Sequence, residues 1–498
     1  MNTPFPRCSK PPLHSALEPT TPGIRPKVAA LLVLMFIAAA LSGAHAQNIP
    51  DAAVDNVPPN IVIFVADDAG WRDFGAYGNT SIRTPSIDRL AEGGLLFERA
   101  FLTVAQCSPS RISMLTGKYP HATGAEDLHM PLPPDEVIVP SYLQQAGYFT
   151  GHMRKTHYGL HAERQFQWYS QDVGDLPEFL DESGERPFFL WVGFNDPHRP
   201  YQENTVDPPH DPETVNVPPY LADTPETRAD LARYSDEISR MDAEIGIALE
   251  ELERRGLREN TLVIFLSDNG MPFPGAKGTV YDEGTKTPLI FSWPARMQGG
   301  SRYDGLTSVI DLAPTLLDLA GVDRVEDMQG ESILPILFDS SLPGRSYVFA
   351  ERNWHDCDEH IRSVRNDRFK LIRNAYIELP FGTPADASSS PTWYSLLRMK
   401  DEGNLTPAQA RIFTAPRPRI ELYDVENDPW ELTNLAGKAE YADLAAELAK
   451  VLDDWMTETG DFGPWTRRRD DHTDRITGVR FGYTVPPMYG VDVDVIDN

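Results

Sequence analysis

Runs of apolar residues alternate with longer amphipathic segments along most of the chain. Residues 60–65, 187–194 and 261–267 are apolar and rich in β-branched or aromatic side chains, at the length of a fully buried strand. Residues 225–255 carry apolar side chains at helical spacing after a predicted N-cap at Thr224. Shorter strands are predicted near 95–101, 147–152 and 287–292, and helices over 85–93 and 312–319. Alternating strands and helices predict a mostly parallel sheet with helices on both faces.

The pattern changes after about residue 340. Residues 345–351, 361–365, 370–373 and 421–424 favour short antiparallel strands, and a helix is predicted near 440–458. The predicted fold is therefore α/β, with a smaller C-terminal α+β subdomain that contains a short antiparallel sheet. We expect an N-terminal domain over 47–340, a C-terminal subdomain over 341–460 and a tail over 461–498.

The first 46 residues have the pattern of a secretory signal peptide. Four basic residues precede an apolar run over 28–41 and a small-x-small sequence at 44–46. The run is short for a membrane span, and an uncleaved anchor is the alternative interpretation. We therefore expect export to a periplasm or out of the cell, with no membrane span after cleavage.

Composition excludes several classes of protein. The 498 residues hold 45 Lys+Arg against 74 Asp+Glu, and 41% are hydrophobic. This is globular composition, and the net charge of −29 argues against a nucleic-acid partner. Losing residues 1–46, with four basic residues and one acidic residue, takes the charge to −32. Three cysteines are too few for a disulfide framework, and Cys8 leaves with the signal peptide.

Polar residues follow the three predicted buried strands directly. They are Asp67 and Asp68, the segment 195–198, and Asp268 with Asn269. Ligands of parallel sheets gather at the carboxyl ends of the strands. Carboxylate and amide oxygens there suit a hard divalent cation, although a helix cap or a solvated turn is the commoner use of such residues.

Cys107 stands just before a predicted helix over 112–116. A thiol at a helix N-terminus is expected to have a lowered pKa and to act as a nucleophile, although a lone cysteine is more often structural. The sequence Cys107-Ser-Pro-Ser-Arg111, followed by Leu-Thr-Gly-Lys over 115–118, resembles the signature of type I sulfatases. That resemblance extends over roughly residues 58–460.

Three more segments resemble sulfatase motifs. Residues 154–159 are similar to Gly-Lys-x-His-x-Gly, with Arg154 where glycine is usual, and residues 197–200 to Pro-His-x-Pro. Residues 277–284 are similar to Lys-Gly-x-x-Tyr-Glu-Gly-Gly. The sulfate-binding lysine is carried onto Lys277, and its competitor Lys286 is interpreted as a structural cation.

The resemblance implies an alkaline-phosphatase-like fold and two cofactors. A maturation enzyme would oxidise the cysteine to formylglycine (3-oxoalanine), and one divalent cation, calcium, would bind nearby. The implied metal ligands are Asp67, Asp68, Cys107 as its hydrate, Asp268 and Asn269.

The resemblance also implies roles in catalysis. Arg111 would hold the formylglycine hydrate, one hydroxyl of which attacks sulfur, and Lys155 and Lys277 would bind the sulfate. His198 would protonate the leaving atom, and His157 would take the proton that regenerates the aldehyde.

Motif details favour the heparan N-sulfatase branch, and hence N-sulfoglucosamine as substrate. Residues 107–111, 194–199 and 267–274 resemble that branch, but Lys277 stands where arginine is expected, which keeps an O-sulfatase open. Selectivity is expected from loops 126–129, 199–202 and 351–360. In the last, His355 and His360 contact the sugar or lie in a surface loop.

Two other classes stay open. One is a phosphoester or phosphonate hydrolase of the same superfamily, and the other is an inactive glycan-binding protein whose Cys107 is never oxidised. The expected partners are a sulfated saccharide and the maturation enzyme.

Overall fold

The computed structural model describes residues 58–461, 463, 480–481 and 495–496. The predicted signal peptide and most of the predicted tail lie outside the described residues. No helix in the described part combines the length and hydropathy needed to cross a bilayer.

The described strands are numbered in chain order. They are β1 (Asn60–Ala66), β2 (Leu95–Phe97), β3 (Ala100–Phe101), β4 (Phe149–Arg154), β5 (Trp168–Ser170), β6 (Phe188–Gly193), β7 (Thr261–Ser267), β8 (Lys286–Thr287), β9 (Leu289–Ser292), β10 (Ser301–Tyr303), β11 (Thr307–Ser308), β12 (Val348–His355), β13 (Cys357–Arg365), β14 (Phe369–Asn374), β15 (Ile420–Asp424), β16 (Arg480–Phe481) and β17 (Val495–Ile496).

The described α-helices are numbered in the same way. They are α1 (Pro85–Glu92), α2 (Cys107–Thr116), α3 (Pro120–Thr123), α4 (Val139–Gln145), α5 (Leu160–Glu163), α6 (Leu176–Ser183), α7 (Pro225–Arg254), α8 (Asp282–Thr285), α9 (Leu312–Leu319), α10 (Leu334–Phe338), α11 (Ala385–Ser388), α12 (Pro391–Asp401), α13 (Pro407–Ala410) and α14 (Ala442–Thr459).

A large mixed sheet forms the centre of the described structure. Its order is β10-β2-β9-β7-β1-β6-β4-β5, and the neighbours β7, β1, β6 and β4 are parallel to one another. In β1, Ile61, Ile63 and Val65 face one hydrophobic core and Val62 and Phe64 face the other. Side chains of successive strand residues point to opposite faces, so this strand is apolar throughout because both faces are covered.

Helices cover both faces of this sheet. The core that Val62 and Phe64 face takes apolar side chains from α1, α6 and α7, and the opposite core takes them from α2, α4 and α9. Thr224 caps α7 by accepting a hydrogen bond from the Thr227 amide, and Pro225 follows at the first helical position. The α/β prediction is confirmed.

A second sheet, β12-β13-β14-β15, is antiparallel and packs against α14. Its core includes Val364, Leu371, Leu422, Leu452 and Trp455. The predicted smaller antiparallel sheet after the large one is thereby confirmed.

Four predicted elements differ from the structure. The segments near 95–101 and 287–292 each split between the large sheet, which takes β2 and β9, and a separate three-stranded sheet, which takes β3 and β8. Helix α2 begins at Cys107 itself, before the predicted start at 112. The stretch 351–360 is no surface loop, because it forms parts of β12 and β13 and is buried apart from the turn at Asp356 and Cys357.

Candidate active site

Four neighbouring parallel strands end at one edge of the large sheet, and each is followed by predicted site residues. Asp67 and Asp68 follow β1, and Asp268 and Asn269 follow β7. Lys155 and His157 follow β4, and the segment 194–198 follows β6. The order β7-β1-β6-β4 sets these segments side by side, as expected for parallel strands.

The acidic residues form a buried oxygen cluster. Ligand atoms of Asp67, Asp68, Asp268 and Cys107 lie within 4.8 Å of one another, and all four residues are buried. Among the described residues, Asp67 Oδ1 and Asn269 Oδ1 are buried without a hydrogen-bond partner. Buried oxygens are normally satisfied, so these two atoms indicate that the cluster is incomplete without a cation.

Three cationic side chains face this cluster. Lys155 Nζ lies 2.5 Å from Asp67 Oδ2, Lys277 Nζ lies 2.7 Å from Asp68 Oδ2, and Arg111 Nε donates to Asp268 Oδ2 at 2.7 Å. Burial by itself raises the pKa of Asp67, but Lys155 and the more distant cations hold it below its usual range. Burial and the neighbouring Asp67 raise the pKa of Asp268 to about 6 despite Arg111.

Cys107 opens helix α2, all ten residues of which are buried. Its Sγ lies 3.7 Å from Asp68 Oδ1. Burial raises the pKa of this thiol well above its usual value, Asp268 and Asp68 raise it further, and Lys155 and Lys277 do not compensate. The expected lowering by the helix N-terminus was wrong, because removal from water dominates. A neutral thiol here is a poor nucleophile.

His157 forms a histidine pair with His129. His129 Nδ1 and His157 Nε2 are 2.6 Å apart, and His157 Nδ1 is buried with no hydrogen-bond partner among the described residues. Burial, then Lys155 and His129, lower the pKa of His157 well below its usual value. His157 is therefore a neutral imidazole that is able to accept a proton.

His198 lies at the rim of the cluster and is partly exposed. Its Nδ1 is 2.5 Å from the Arg199 carbonyl oxygen, and its Nε2 is 3.8 Å from carboxylate oxygens of Asp68 and Asp386. The carbonyl accepts a hydrogen from Nδ1, so Nε2 is the nitrogen that faces an incoming molecule.

The structure separates the two candidate lysines. Lys277 contacts Asp68 and Asp386 in the cluster, whereas Lys286 Nζ sits 3.5 Å from the centre of the Trp71 ring. Burial lowers the pKa of Lys286 to about 8. The position of Lys277, and not that of Lys286, suits an anion beside Asp68.

The residues expected to contribute to selectivity lie in different surroundings. His355 is buried, and its Nδ1 lies 2.8 Å from Asp356 Oδ2, the oxygen that accepts from the Ala385 amide next to Asp386. His360 lies near Asp461, and Arg199 is held by Asp230 through two 2.7 Å hydrogen bonds. The Arg199 guanidinium is thus fixed by Asp230, and the role of these loops in selectivity stays a prediction.

Asp386 was missed by the sequence analysis. It lies in the short helix α11, in a stretch rich in alanine, serine and proline that resembles no catalytic motif. No local signal could have placed it beside Lys277, which lies more than 100 residues earlier in the chain.

Several residues of the site have a left-handed backbone. Asp68, Arg154 and His157 have φ of 75°, 58° and 61°. Non-glycine residues in this region are strained, and such strain clusters at functional sites. Arg154 stands where the family has glycine. The positive φ at this position explains why glycine is usual there.

A sheet covered on both faces, with a buried cluster of acids and lysines at its carboxyl edge, is the alkaline-phosphatase-like arrangement that the sulfatase motifs imply. Residues 59–322 match the sulfatase family, and residues 276–380 match the family described as N-sulphoglucosamine sulphohydrolase, C-terminal. The chain is 34% identical to human N-sulphoglucosamine sulphohydrolase, over 82% of this chain and 91% of that protein.

Two other comparisons agree. An ulvan-active sulfatase of Formosa agariphila is 32% identical, over 81% of this chain and 75% of that protein. A protein solved in complex with its substrate D-glucosamine-2-N,6-O-disulfate has the same fold, with a TM-score of 0.65 at 22% identity over 82% of this chain and 99% of that one. The chain belongs to the sulfatase family and is a sulfuric ester or sulfamate hydrolase.

Proposed function

We propose that this sulfatase removes the sulfamate group of N-sulfoglucosamine from heparan- or heparin-type glycans. The match of residues 276–380 to the C-terminal part of N-sulphoglucosamine sulphohydrolases carries this proposal. That segment contains Lys277 and the β12–β13 hairpin, whose Trp354 carbonyl oxygen accepts a hydrogen bond from Gln106, the residue before Cys107. The human relative, matched over 91% of its length, supports the same substrate.

The nucleophile is residue 107 after oxidation of its cysteine to formylglycine by a maturation enzyme. The buried, neutral thiol supports this, because it is unsuited to attack as it stands. Position 107 would hold the aldehyde hydrate beside Asp68, and the hydrate would supply a hydroxyl group as the nucleophile towards sulfur.

The cation is Ca²⁺, held by Asp67, Asp68, Asp268 and Asn269 together with residue 107. The donors fit it, because they are hard oxygen atoms and two of them lack any hydrogen-bond partner in the described structure. A bound divalent cation supplies positive charge that polarises the sulfate oxygens.

The remaining residues bind charge and move protons. Lys155 and Lys277 hold the sulfate oxygens, and Arg111 fixes Asp268 and the turn that carries Lys155. His198 Nε2 donates a proton to the leaving nitrogen or oxygen. His157 Nδ1 accepts the proton of the second hydroxyl at position 107 when sulfate departs.

The decisive test combines mass spectrometry with an assay. The peptide that contains residue 107 is expected to show an aldehyde, and the enzyme to release sulfate from N-sulfoglucosamine faster than from glucosamine 6-sulfate. Cys107→Ser is expected to lower turnover by about 10³-fold or more while unfolding at the same temperature as the unsubstituted protein. An unmodified thiol in active enzyme would refute the nucleophile.

An O-sulfatase is the second candidate. The ulvan-active relative at 32% identity favours it, as does lysine at position 277. Faster release from O-sulfated than from N-sulfated sugars would select this candidate. Faster cleavage of a phosphate than of a sulfate ester would overturn both.

We further propose that residues 1–46 direct export, so that the enzyme works in a periplasm or outside the cell. The basic, apolar and small-residue order of that segment supports this. N-terminal sequencing of the exported protein is expected to begin at Gln47.

A further inference from the structure

The C-terminal half of the chain sends one carboxylate into the site. Helix α11 is docked on the β12–β13 turn, because the Ala385 amide donates to Asp356 Oδ2 at 2.7 Å and His355 Nδ1 lies 2.8 Å from that oxygen. The docked helix sets Asp386 Oδ2 at 2.7 Å from Lys277 Nζ.

Asp386 is also one of the groups that a substrate meets first. The side chains of Asp68 and Lys277 are 0% and 2% exposed, whereas those of Asp386 and His198 are 17% and 27% exposed. An incoming sugar therefore contacts Asp386 and His198 at the rim before its sulfate reaches Lys277.

The rim carries a negative charge at Asp386. Burial alone raises the pKa of Asp386, but Lys277, His355 and His198 hold it below its usual range, so the side chain is an ionised acceptor. Lys277 has three N–H groups, and Asp68 and Asp386 take two of them. One N–H is left for a sulfate oxygen, directly beside a negative charge.

We propose that Asp386 determines specificity, by accepting a hydrogen bond from the sugar hydroxyl next to the cleaved group and by repelling a second sulfate at that position. The inference rests on the proposed function. For N-sulfoglucosamine the hydroxyl is the one on carbon 3, next to the carbon that bears the sulfamate. Asp386 accepts from Lys277 Nζ and from the Ala387 amide, each at 2.7 Å, and a carboxylate has further acceptor positions for a hydroxyl. A second sulfate beside this negative charge is repelled, so both effects favour the same substrate.

The test compares the kcat/KM of one enzyme on matched sugars. The unsubstituted enzyme is expected to cleave N-sulfoglucosamine at least about tenfold better than its 3-O-sulfated form, with the 6-O-sulfated form as the reference for a distant second charge. The 3-O selectivity ratio is kcat/KM for N-sulfoglucosamine divided by kcat/KM for its 3-O-sulfated form. Asp386→Asn is expected to lower this ratio about tenfold, and Asp386→Glu is expected to retain most of it.

The 3-O selectivity ratio distinguishes a specificity role of Asp386 from a merely structural one. If Asp386→Asn slows all three sugars equally, the residue only positions Lys277 and the inference is wrong. Asp401→Asn, an exposed acid on α12, is the matched control and is expected to leave the ratio unchanged. Failure of the proposed function appears differently, as no sulfate release from N-sulfoglucosamine by the unsubstituted enzyme.

If Asp386→Asn fails to fold, Asp386→Ser provides the same test, since it also removes the charge. Thermal unfolding of each variant identifies this case. An unchanged ratio in a folded Ser variant overturns the inference.

Discussion

Two clusters of buried charges in the described structure differ in their balance of carboxylates and cations. The open cluster holds carboxylates and cations at the sheet edge: Asp67, Asp68, Asp268, Asp386, Arg111, Lys155 and Lys277. The closed cluster holds Asp282, Glu431, Arg365 and Lys370. Histidines aside, the closed cluster is balanced, two carboxylates against two cations, whereas the open cluster has four against three.

This difference in charge balance indicates that the closed cluster is structural and that the open cluster is functional. In the closed cluster Asp282 pairs with both cations, and its amide donates to Glu431 Oε2 at 2.6 Å. At the open cluster, Asp67 Oδ1 and Asn269 Oδ1 are buried without hydrogen-bond partners in the described structure, and the cluster reaches solvent at His198. Glu431 Oε1 of the closed cluster also lacks a hydrogen-bond partner, but it lies 2.9 Å from Lys370 Nζ. Buried charge is stable when paired, so the surplus acid and the unsatisfied oxygens indicate a place for a cation.

The prediction with the largest expected effect concerns the stability of the closed cluster. Asp282→Asn is expected to lower the free energy of unfolding by about 3–5 kcal/mol, because it leaves Arg365 buried without its carboxylate. Denaturant unfolding with and without Ca²⁺ measures it, and the loss is expected to be the same in both.

Asp68→Asn is the matched substitution in the open cluster. Ca²⁺ is expected to raise the unfolding temperature of the unsubstituted protein and of Asp282→Asn, but not that of Asp68→Asn. Equal responses of the two variants to Ca²⁺ would erase the distinction between the clusters.

The next effect is on catalysis. Lys277→Ala is expected to lower kcat/KM about 10²- to 10³-fold, because it removes a cation that faces the sulfate. Lys286→Ala is the control, expected to cost about 1 kcal/mol of stability through its lost contact with Trp71 and to leave kcat/KM nearly unchanged. The opposite ranking of the two variants would place the sulfate at Lys286.

The smallest effect concerns backbone strain beside the open cluster. Arg154 has φ 58° and pairs with Glu244 at 2.7 Å. Both Arg154→Gly and Arg154→Ala remove the ion pair, but only glycine relieves the strain. Glycine is therefore expected to be the more stable by about 1 kcal/mol in denaturant unfolding. A more stable alanine variant would show that the strain is negligible.

The sequence predicts the large sheet and three of its strand ends because apolar runs of strand length, each followed by acids or histidine, carry that information locally. It predicts Lys155, His157 and Lys277 through motifs. Asp386 and the His129–His157 contact depend on packing between segments distant in the chain, which no local pattern encodes. The raised pKa of the Cys107 thiol depends on burial, which outweighs the helix N-terminus on which the sequence argument relied.

The register of β1 with β7 has a consequence for synthesis. Ala66 pairs with Ser267, so the site edge cannot close until the ribosome has made β7. Residue 107 precedes that point by roughly 160 residues, which take on the order of 10–30 s to translate. During that interval α2 lacks part of the sheet that buries it. An enzyme that modifies Cys107 thus has a kinetic window set by chain topology, and slower translation lengthens it.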